Sequence, residues 1–359
     1  MSGGRVTLAD VAALAQVSVG TASKALSGGG RLRDETRRRV VEAARRLGFE
    51  PNHLAQSLLR GRTYTVGLMT SDSFGRFVIP VMQGVEDALG AGRIAVYLCD
   101  ARGDAVREQY YLTSLLSRRV DGIIVSGRRT DPRPPLARPL PVPVVYAFCQ
   151  SGSAEDLSVV PDDEMGGRLA VEHLLETGRR RLAHVTGPHH FDAVRLRAAG
   201  AAAAAREAGL ELRDDLILSG PWSETWARQV TSRLLELDGR VDAVFCGSDQ
   251  LARGVADGLR EAGVRVPDDV ALVGYDNWTV MAEAARPPLT TVDMDLEALG
   301  RRAAGLLLAR IDGDHASGVV RTPCRLVVRA STHPADPPAD RGGRPPGAGA
   351  ARYERAPPP

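Results

Sequence analysis

The stretch TLADVAALAQVSVGTASKALSGGGRLRDETRRRVVEAARRLG, residues 7–48, decides how this chain is read. Apolar residues recur in it at helical spacing, Leu8, Val11, Ala12 and Ala15 in one group and Val40, Ala43, Ala44 and Leu47 in another, and no strand-like β-branched run interrupts them. Thr7 with Asp10 three residues later has the form of a capping box, in which each side chain satisfies a free amide of the helix start. Ser18 is placed to cap a second short helix, Val19 to Leu26. Only the corner Ala15-Gln16-Val17 lies between the two, so the helices must meet at a steep angle. SGGGR breaks the pattern, and a third helix, about Asp34 to Leu47, ends at Gly48. Three short helices with a tight first turn make a helix-turn-helix unit.

The same end carries the charge. The 359 residues include 46 Lys+Arg and 44 Asp+Glu, a net +2 that taken as an average argues against a surface built to neutralise phosphates. The average hides an asymmetry. Residues 1–64 hold eleven basic side chains against five acids, +6; residues 65–334 come to −5 and the last 25 residues to +1. A basic end on a mildly acidic body is an electrostatic footprint for a polyanion. Lys24, inside the second predicted helix, is the only lysine in the chain.

After Tyr64 the texture changes to short apolar runs alternating with helix-sized stretches: TVGLMTSD, RIAVYLCD, DGIIVSG, VPVVYAFC, then RLAHVTG, DAVFCGSD and VALVGYDN. Such runs imply parallel sheets covered on both faces, and two groups of them imply two similar α/β lobes. VDGIIVSG (120–127) and VDAVFCGSD (241–249) echo each other weakly. Ligands in such sheets sit at the carboxyl ends of strands. Those ends carry Ser71 and Asp72, Cys149, Ser248 and Asp249, and Asp276 and Asn277. The four cysteines, Cys99, Cys149, Cys246 and Cys324, form no CxxC pair and sit in apolar runs, which predicts buried thiols in a reducing cytosol. Neither a signal peptide nor a membrane-length apolar stretch is present, so a cytoplasmic protein is expected. Residues 335–359, with seven Pro and four Gly, are expected to be disordered.

Taken together, VTLADVAALAQVSVGTASKAL, PNHLAQSL, MGGRLAVEHLLETGRRRLAHVTGP, DQLARGVADGLREAGVRVPDDVALVGYDN, RPPLTTVDMDLEALGRRA and LVVRAST resemble the lactose-repressor (LacI/GalR) family of bacterial transcriptional regulators over about residues 5–333. The resemblance implies an all-α helix-turn-helix headpiece (1–50), a hinge helix and linker (51–63), and a two-lobed, periplasmic-binding-protein-like α/β effector domain (64–334) followed by the tail. It also implies a homodimer on pseudo-palindromic, double-stranded operator DNA, a small-molecule effector, no cofactor and no metal.

Residue by residue, the resemblance puts Val19, Gly20 and Lys24 where sequence preference is set, with Ser18, Thr21 and Ser23 beside them. It adds Thr7, Leu8, Arg31, Thr36 and Phe49 from the headpiece and Asn52, Ala55, Gln56 and Leu58 from the hinge to the DNA surface. Lys24 can reach guanine O6 and N7 as a point charge. Gly20 departs from the family's usual side chain and removes a base contact, and Gln16 replaces a common turn glycine. In the family a hinge leucine wedges into the minor groove, and Leu58 holds that position. Arg60 and Arg62 would touch phosphates or keep the linker soluble. For the effector, Arg197 aligns with a contacting arginine, Asp276 with a hydroxyl-accepting carboxylate and Trp222 with a stacking aromatic. Ser71, Asp72, Phe77, Asp162, Ser248 and Asp249 are further candidate liners. That set suits a sugar or polyol, with a nucleoside or other non-sugar effector as the alternative. Capping of the following helices is a second explanation for Asp249 and Asp276, and plain core for Trp222.

Two other classes fit less well. An α/β enzyme would need a motif such as GxSxG, GxxxxGK[ST], HExxH or a strand-linked GxGxxG, and the chain has none. His184, His189 and His190 lie near GPHH but lack zinc-site spacing, which predicts loop histidines. An exported solute-binding protein would need a signal peptide and would lack the helix-turn-helix.

Overall fold

Thr7 opens the first helix as the sequence predicts. Its hydroxyl accepts from the Asp10 amide at 3.4 Å, while Asp10 accepts from the Thr7 amide at 2.8 Å. The structure, a computed structural model, describes residues 6–26, 32–49, 62–90, 94–137, 139–237 and 241–333. Helix α1 (Leu8–Leu14) turns at Gln16, which takes the left-handed φ of 52° that the corner requires. Helix α2 (Val19–Leu26) follows, and α3 (Asp34–Leu47) closes on Gly48 at φ 63°. Val11, Ala12, Ala22, Ala25, Val40 and Ala43 form the core of this three-helix unit.

The body then runs β1 (Thr65–Thr70), α4 (Val78–Ala88), β2 (Ala95–Asp100), α5 (Ala105–Ser117), β3 (Gly122–Ser126), β4 (Val144–Ala147), β5 (Leu157–Pro161), α6 (Asp163–Glu176), β6 (Leu182–Thr186) and α7 (Asp192–Glu207). It continues with β7 (Ile217–Ser219), α8 (Glu224–Leu237), β8 (Ala243–Cys246), α9 (Asp249–Glu261), β9 (Ala271–Tyr275), α10 (Thr279–Ala282), β10 (Thr290–Asp293), α11 (Leu296–Ile311), β11 (Gly318–Thr322) and β12 (Arg325–Val327). Packing divides the chain into two units. The first takes residues up to Arg128, 133–159 and 300–319; the second takes 129–132, 160–299 and the chain from Val320 onward.

Each unit is built on a six-stranded sheet. The first has the order β11-β5-β4-β3-β1-β2 and the second β12-β10-β9-β8-β6-β7. Every pairing among β1–β4 and among β6–β10 is parallel, and β12 joins β10 antiparallel. In both sheets the chain starts next to one edge, steps outward once, then reverses direction, so the switch points lie between β1 and β3 and between β6 and β8. The echoing segments 120–127 and 241–249 contain β3 and β8, the strands in equivalent positions of the two sheets.

The apolar runs pack as expected with one exception. Met69, Leu115, Ile123, Val125 and Tyr146 make the first core, and Val185, Leu218, Val244, Leu251 and Leu272 the second. Strand β2 is not covered on both faces: it is the sheet's edge strand, pairing only with β1, and Tyr97 and Leu98 are exposed. Cys149, Cys246 and Cys324 are buried free thiols, while Cys99 on that edge is half-buried. Among the described residues, no helix is long and apolar enough to cross a membrane.

Candidate functional site

In the headpiece, helix α2 is sorted by side-chain size. Ala22 and Ala25 point into the core at i, i+3, which leaves Ser18, Val19, Gly20, Ser23 and Lys24 exposed and Thr21 half-buried. Ser18 caps the helix: its hydroxyl accepts from the Thr21 amide at 3.1 Å and lies 2.8 Å from the Thr21 hydroxyl. A Cβ at Gly20 would meet nothing closer than the Ser18 hydroxyl at 4.0 Å, so the fold does not require glycine there. The exposed strip presents hydroxyls and one lysine, the short polar groups and cation that major-groove readout uses.

Thr7 is exposed at the start of α1, and Thr36 is half-buried in the first turn of α3. Leu8 and Phe49 pack against the headpiece core, so they support the surface from behind. Arg31, Asn52, Ala55, Gln56, Leu58 and Arg60 lie outside the described residues, as does the tail from 334. Arg62 does not extend along a linker: its guanidinium pairs with Asp312, just past α11, and donates to the Ile311 carbonyl that ends that helix.

In the first unit, the switch point carries Ser71 and Asp72. The Ser71 amide donates to the Ser126 carbonyl at 3.3 Å, which ties the end of β1 to the end of β3. Asp72 is buried and caps α4, its Oδ2 accepting from the amides of Phe77 at 2.7 Å and Val78 at 3.0 Å. Phe77 stacks on Phe148 with centroids 4.6 Å apart, and the Arg76 guanidinium lies 4.9 Å above the Phe77 ring. Cys149 donates to the Val125 carbonyl, and burial pushes its thiol up to about 12.

In the second unit, the ends of β6, β8 and β9 are neighbours and carry most of the candidates. Trp222 lies against Gly187, just past β6, so closely that a Cβ on Gly187 would stand 2.2 Å from the indole. Phe191 runs nearly parallel to the indole at 6.5 Å, extending the aromatic surface, and Trp222 also packs on the core. Past β8, Ser248 is buried and caps α9 through the Leu251 amide at 3.2 Å. Asp249 turns inward: it is fully buried, with Oδ1 on the Thr291 hydroxyl at 2.5 Å and Oδ2 on the Trp278 amide at 2.7 Å. Asp276, half-buried, does not cap α10, whose N-cap is Trp278. Asp162 caps α6 through the Met165 amide at 3.0 Å.

Arg197 is the hub of this unit. Helices α6 and α7 touch backbone to backbone, since a Cβ at Gly167 would meet the Arg197 carbonyl at 2.0 Å and one at Gly200 the Glu164 carbonyl at 1.9 Å. That approach brings the Arg197 Nε and NH2 within 2.8 and 2.7 Å of Asp163 Oδ1. NH1 donates to the Gly247 carbonyl at 2.7 Å, and the guanidinium lies 3.6 Å over the Tyr275 ring. Burial lowers the Arg197 pKa; Asp163 foremost, with Tyr275 and Asp276, outweighs it and holds the pKa above the usual value. Nothing in the sequence singles out Asp163, Tyr275 or Phe191. Asp163 looks there like one of three acids at a helix start, and Tyr275 like strand filler.

His184 is not a loop residue. It lies inside β6, fully buried, stacked on Phe245 at 4.5 Å, with Nδ1 donating to the Phe245 carbonyl at 2.9 Å. Among the described residues no cluster of His, Cys, Asp or Glu is arranged to hold a metal ion.

The geometry of both ends has counterparts in known proteins. Residues 7–52 match the family described as bacterial regulatory proteins, lacI family, and residues 171–332 match the periplasmic binding protein-like domain. Catabolite control protein A of Priestia megaterium is 32% identical over 334 residues, spanning 91% of this chain and 99% of the relative. The chain belongs to the lacI family. The family's fold is the one described above, a helix-turn-helix followed by a periplasmic-binding-protein-like α/β body, and membership makes the chain a ligand-responsive DNA-binding regulator of transcription rather than an enzyme. Among solved lacI-family structures, a complex of the transcriptional regulator CelR with cellobiose is 33% identical, covering 91% of this chain and all of that one, with a TM-score of 0.62. A lac repressor dimer bound to operator and the anti-inducer ONPF is 28% identical, covering 92% and 99%, with a TM-score of 0.68.

Proposed function

We propose that this regulator is a cytoplasmic, homodimeric repressor that sets one α2 into each half-site of a pseudo-palindromic operator and changes its grip when a sugar or polyol binds the body. Hinge residues including Leu58 would sit between the half-sites. The observation that carries the effector half is that Trp222, Asp276 and the Arg197 hub, an aromatic, a carboxylate and a cation, all belong to the carboxyl ends of the second sheet's strands. The likeness to a CelR–cellobiose complex favours a sugar. The exposed apolar side chains of the first unit, Tyr97 and Leu98 on the β2 edge with Val106 and Tyr110 on α5, suit a partner subunit. Ligand and operator affinities are then reciprocally linked.

Two measurements test this. Calorimetric titration against a panel of sugars, beginning with cellobiose, should find a ligand that shifts operator affinity; Asp276→Ala should leave operator binding unchanged and abolish the shift. Tight nucleobase binding with no sugar response would overturn the sugar reading. For the DNA surface, Lys24→Ala should cost about 1–3 kcal/mol of discrimination between operator and scrambled sequence, because it removes a base contact while leaving the phosphate contacts in place. Competition binding at fixed salt checks it, and unchanged discrimination would remove Lys24 from the groove.

A further inference from the structure

Past the end of β9, the backbone takes conformations that L-residues seldom adopt: φ is 100° at Asp276 and 49° at Asn277. Asparagine tolerates the left-handed region, but an aspartate at +100° lies beyond it. Such strain persists only where the surroundings over-determine it. Here all three amides of the turn are held. Asp276 donates to the Val292 carbonyl at 2.8 Å, Asn277 to the Thr291 hydroxyl at 3.3 Å, and Trp278 to Asp249 Oδ2 at 2.7 Å. The Thr291 hydroxyl in turn donates to Asp249 Oδ1 at 2.5 Å, so one hydroxyl and one buried carboxylate close a ring around the turn. Glycine at 274 makes the ring possible, since a Cβ there would lie 2.3 Å from Asp249 Oδ1. The Asn277 side chain fastens the outer side, donating to Asp293 at 3.1 Å and accepting from Arg329 at 2.8 Å.

We propose that Asp249 and Thr291 are positioning residues that hold the strained Asp276 turn, and that Asp249 itself does not touch the effector. The inference rests on the reading of Asp276 as an effector carboxylate. A carboxylate that must meet two sugar hydroxyls gains affinity when its direction is fixed before the ligand arrives. An ordinary turn would leave that direction to be fixed on binding. Buried, and with both oxygens committed to the turn, Asp249 acts through Asp276.

The test uses the full chain and the variants Asp249→Asn, Thr291→Val and Thr291→Ser. Hydrogen exchange of the amides at 276–278 should quicken about tenfold or more in Asp249→Asn and Thr291→Val, and return to the wild-type rate in Thr291→Ser. Exchange unchanged by both of the first two overturns the proposal, and Thr291→Val decides alone if Asp249→Asn does not fold. A second readout needs no ligand. Asp276→Gly should raise the thermal midpoint by relieving strain in the wild-type background and do so less with Thr291→Val, where the turn is already released. Equal shifts in both backgrounds count against the ring as the holder of strain. Titration with cellobiose adds the effector arm, with Asp249→Asn and Thr291→Val weakening it about tenfold and operator affinity unchanged. If exchange responds while Asp276→Ala binds cellobiose as wild type does, the ring holds the turn and the effector reading of Asp276 is what fails.

Discussion

Asp163→Ala is expected to destabilise the second unit by about 3–5 kcal/mol, because it strands a buried cation. Arg197 is 4% exposed and Asp163 1%. The carboxylate's Oδ1 receives the Arg197 Nε and NH2 and, at 3.1 Å, the Tyr275 hydroxyl; its Oδ2 receives the Thr130 hydroxyl at 3.4 Å. Removing it leaves the guanidinium with the Gly247 carbonyl, the Met294 sulfur and a tyrosine face, none of which carries a full negative charge, and with the weaker pull of Asp276. The Tyr275 hydroxyl would keep only the Cys324 sulfur at 3.5 Å, a weak partner. Urea unfolding of the full chain should show a lower midpoint with the slope preserved for that transition. The double variant Asp163→Leu with Arg197→Met should recover most of the loss, since a buried ion pair roughly breaks even against apolar side chains of similar volume. A single-variant loss below about 1 kcal/mol would mean that water or a rearranged neighbour takes the carboxylate's place.

The same network shows where the sequence is legible and where it is not. In the headpiece every decisive contact is local: the Thr7–Asp10 box, the Ser18 cap and the Gly48 stop each join residues within one turn, so spacing alone finds them. All seven apolar runs of the body are strands for a similar reason, their β-branched and aliphatic content suiting a sheet, and six of them are buried on two faces while the edge strand β2 is not. Strands β5, β7, β10, β11 and β12 give no comparable signal. TTVD in β10 is polar at three of its four positions and yet buried, because Thr290 and Thr291 spend their hydroxyls on Arg329, Thr332 and Asp249 inside the fold. The candidate site divides in the same way. Trp222, Arg197 and Asp276 could be named from motifs, but the partners that hold them come from elements far apart in the chain. Asp163 and Asp249 each follow a strand and a polar residue, a pattern that reads as helix capping, and only the tertiary structure turns them inward. Gly274 looks like a strand irregularity until Asp249 is seen to occupy its missing side chain's space.

His184 should make the protein acid-sensitive between about pH 6.5 and pH 4. Its Nδ1 faces a carbonyl, which can only accept, so the proton of the neutral ring sits on Nδ1 and Nε2 is left as a buried lone pair with no hydrogen-bond partner. Burial foremost, and then the Arg197 cation and His189, lower its pKa to about 4 from the ordinary 6.5, against the pull of the Phe245 carbonyl. Above pH 6.5 the ring is neutral in both folded and unfolded chains and contributes no pH dependence. As pH falls below that, the unfolded chain takes up a proton that the folded one refuses, so stability declines, by about 3 kcal/mol once pH 4 is passed. His184→Phe keeps a ring to stack on Phe245 and removes the titration. It costs stability at every pH through the lost hydrogen bond to the Phe245 carbonyl, but its stability should fall less steeply than wild type's from pH 6.5 to 4. The carboxylates titrate alike in both proteins, so the difference between the two curves isolates the histidine. Chemical unfolding at half-unit pH intervals measures it, and if the two acid limbs run parallel, then burial does not keep His184 neutral.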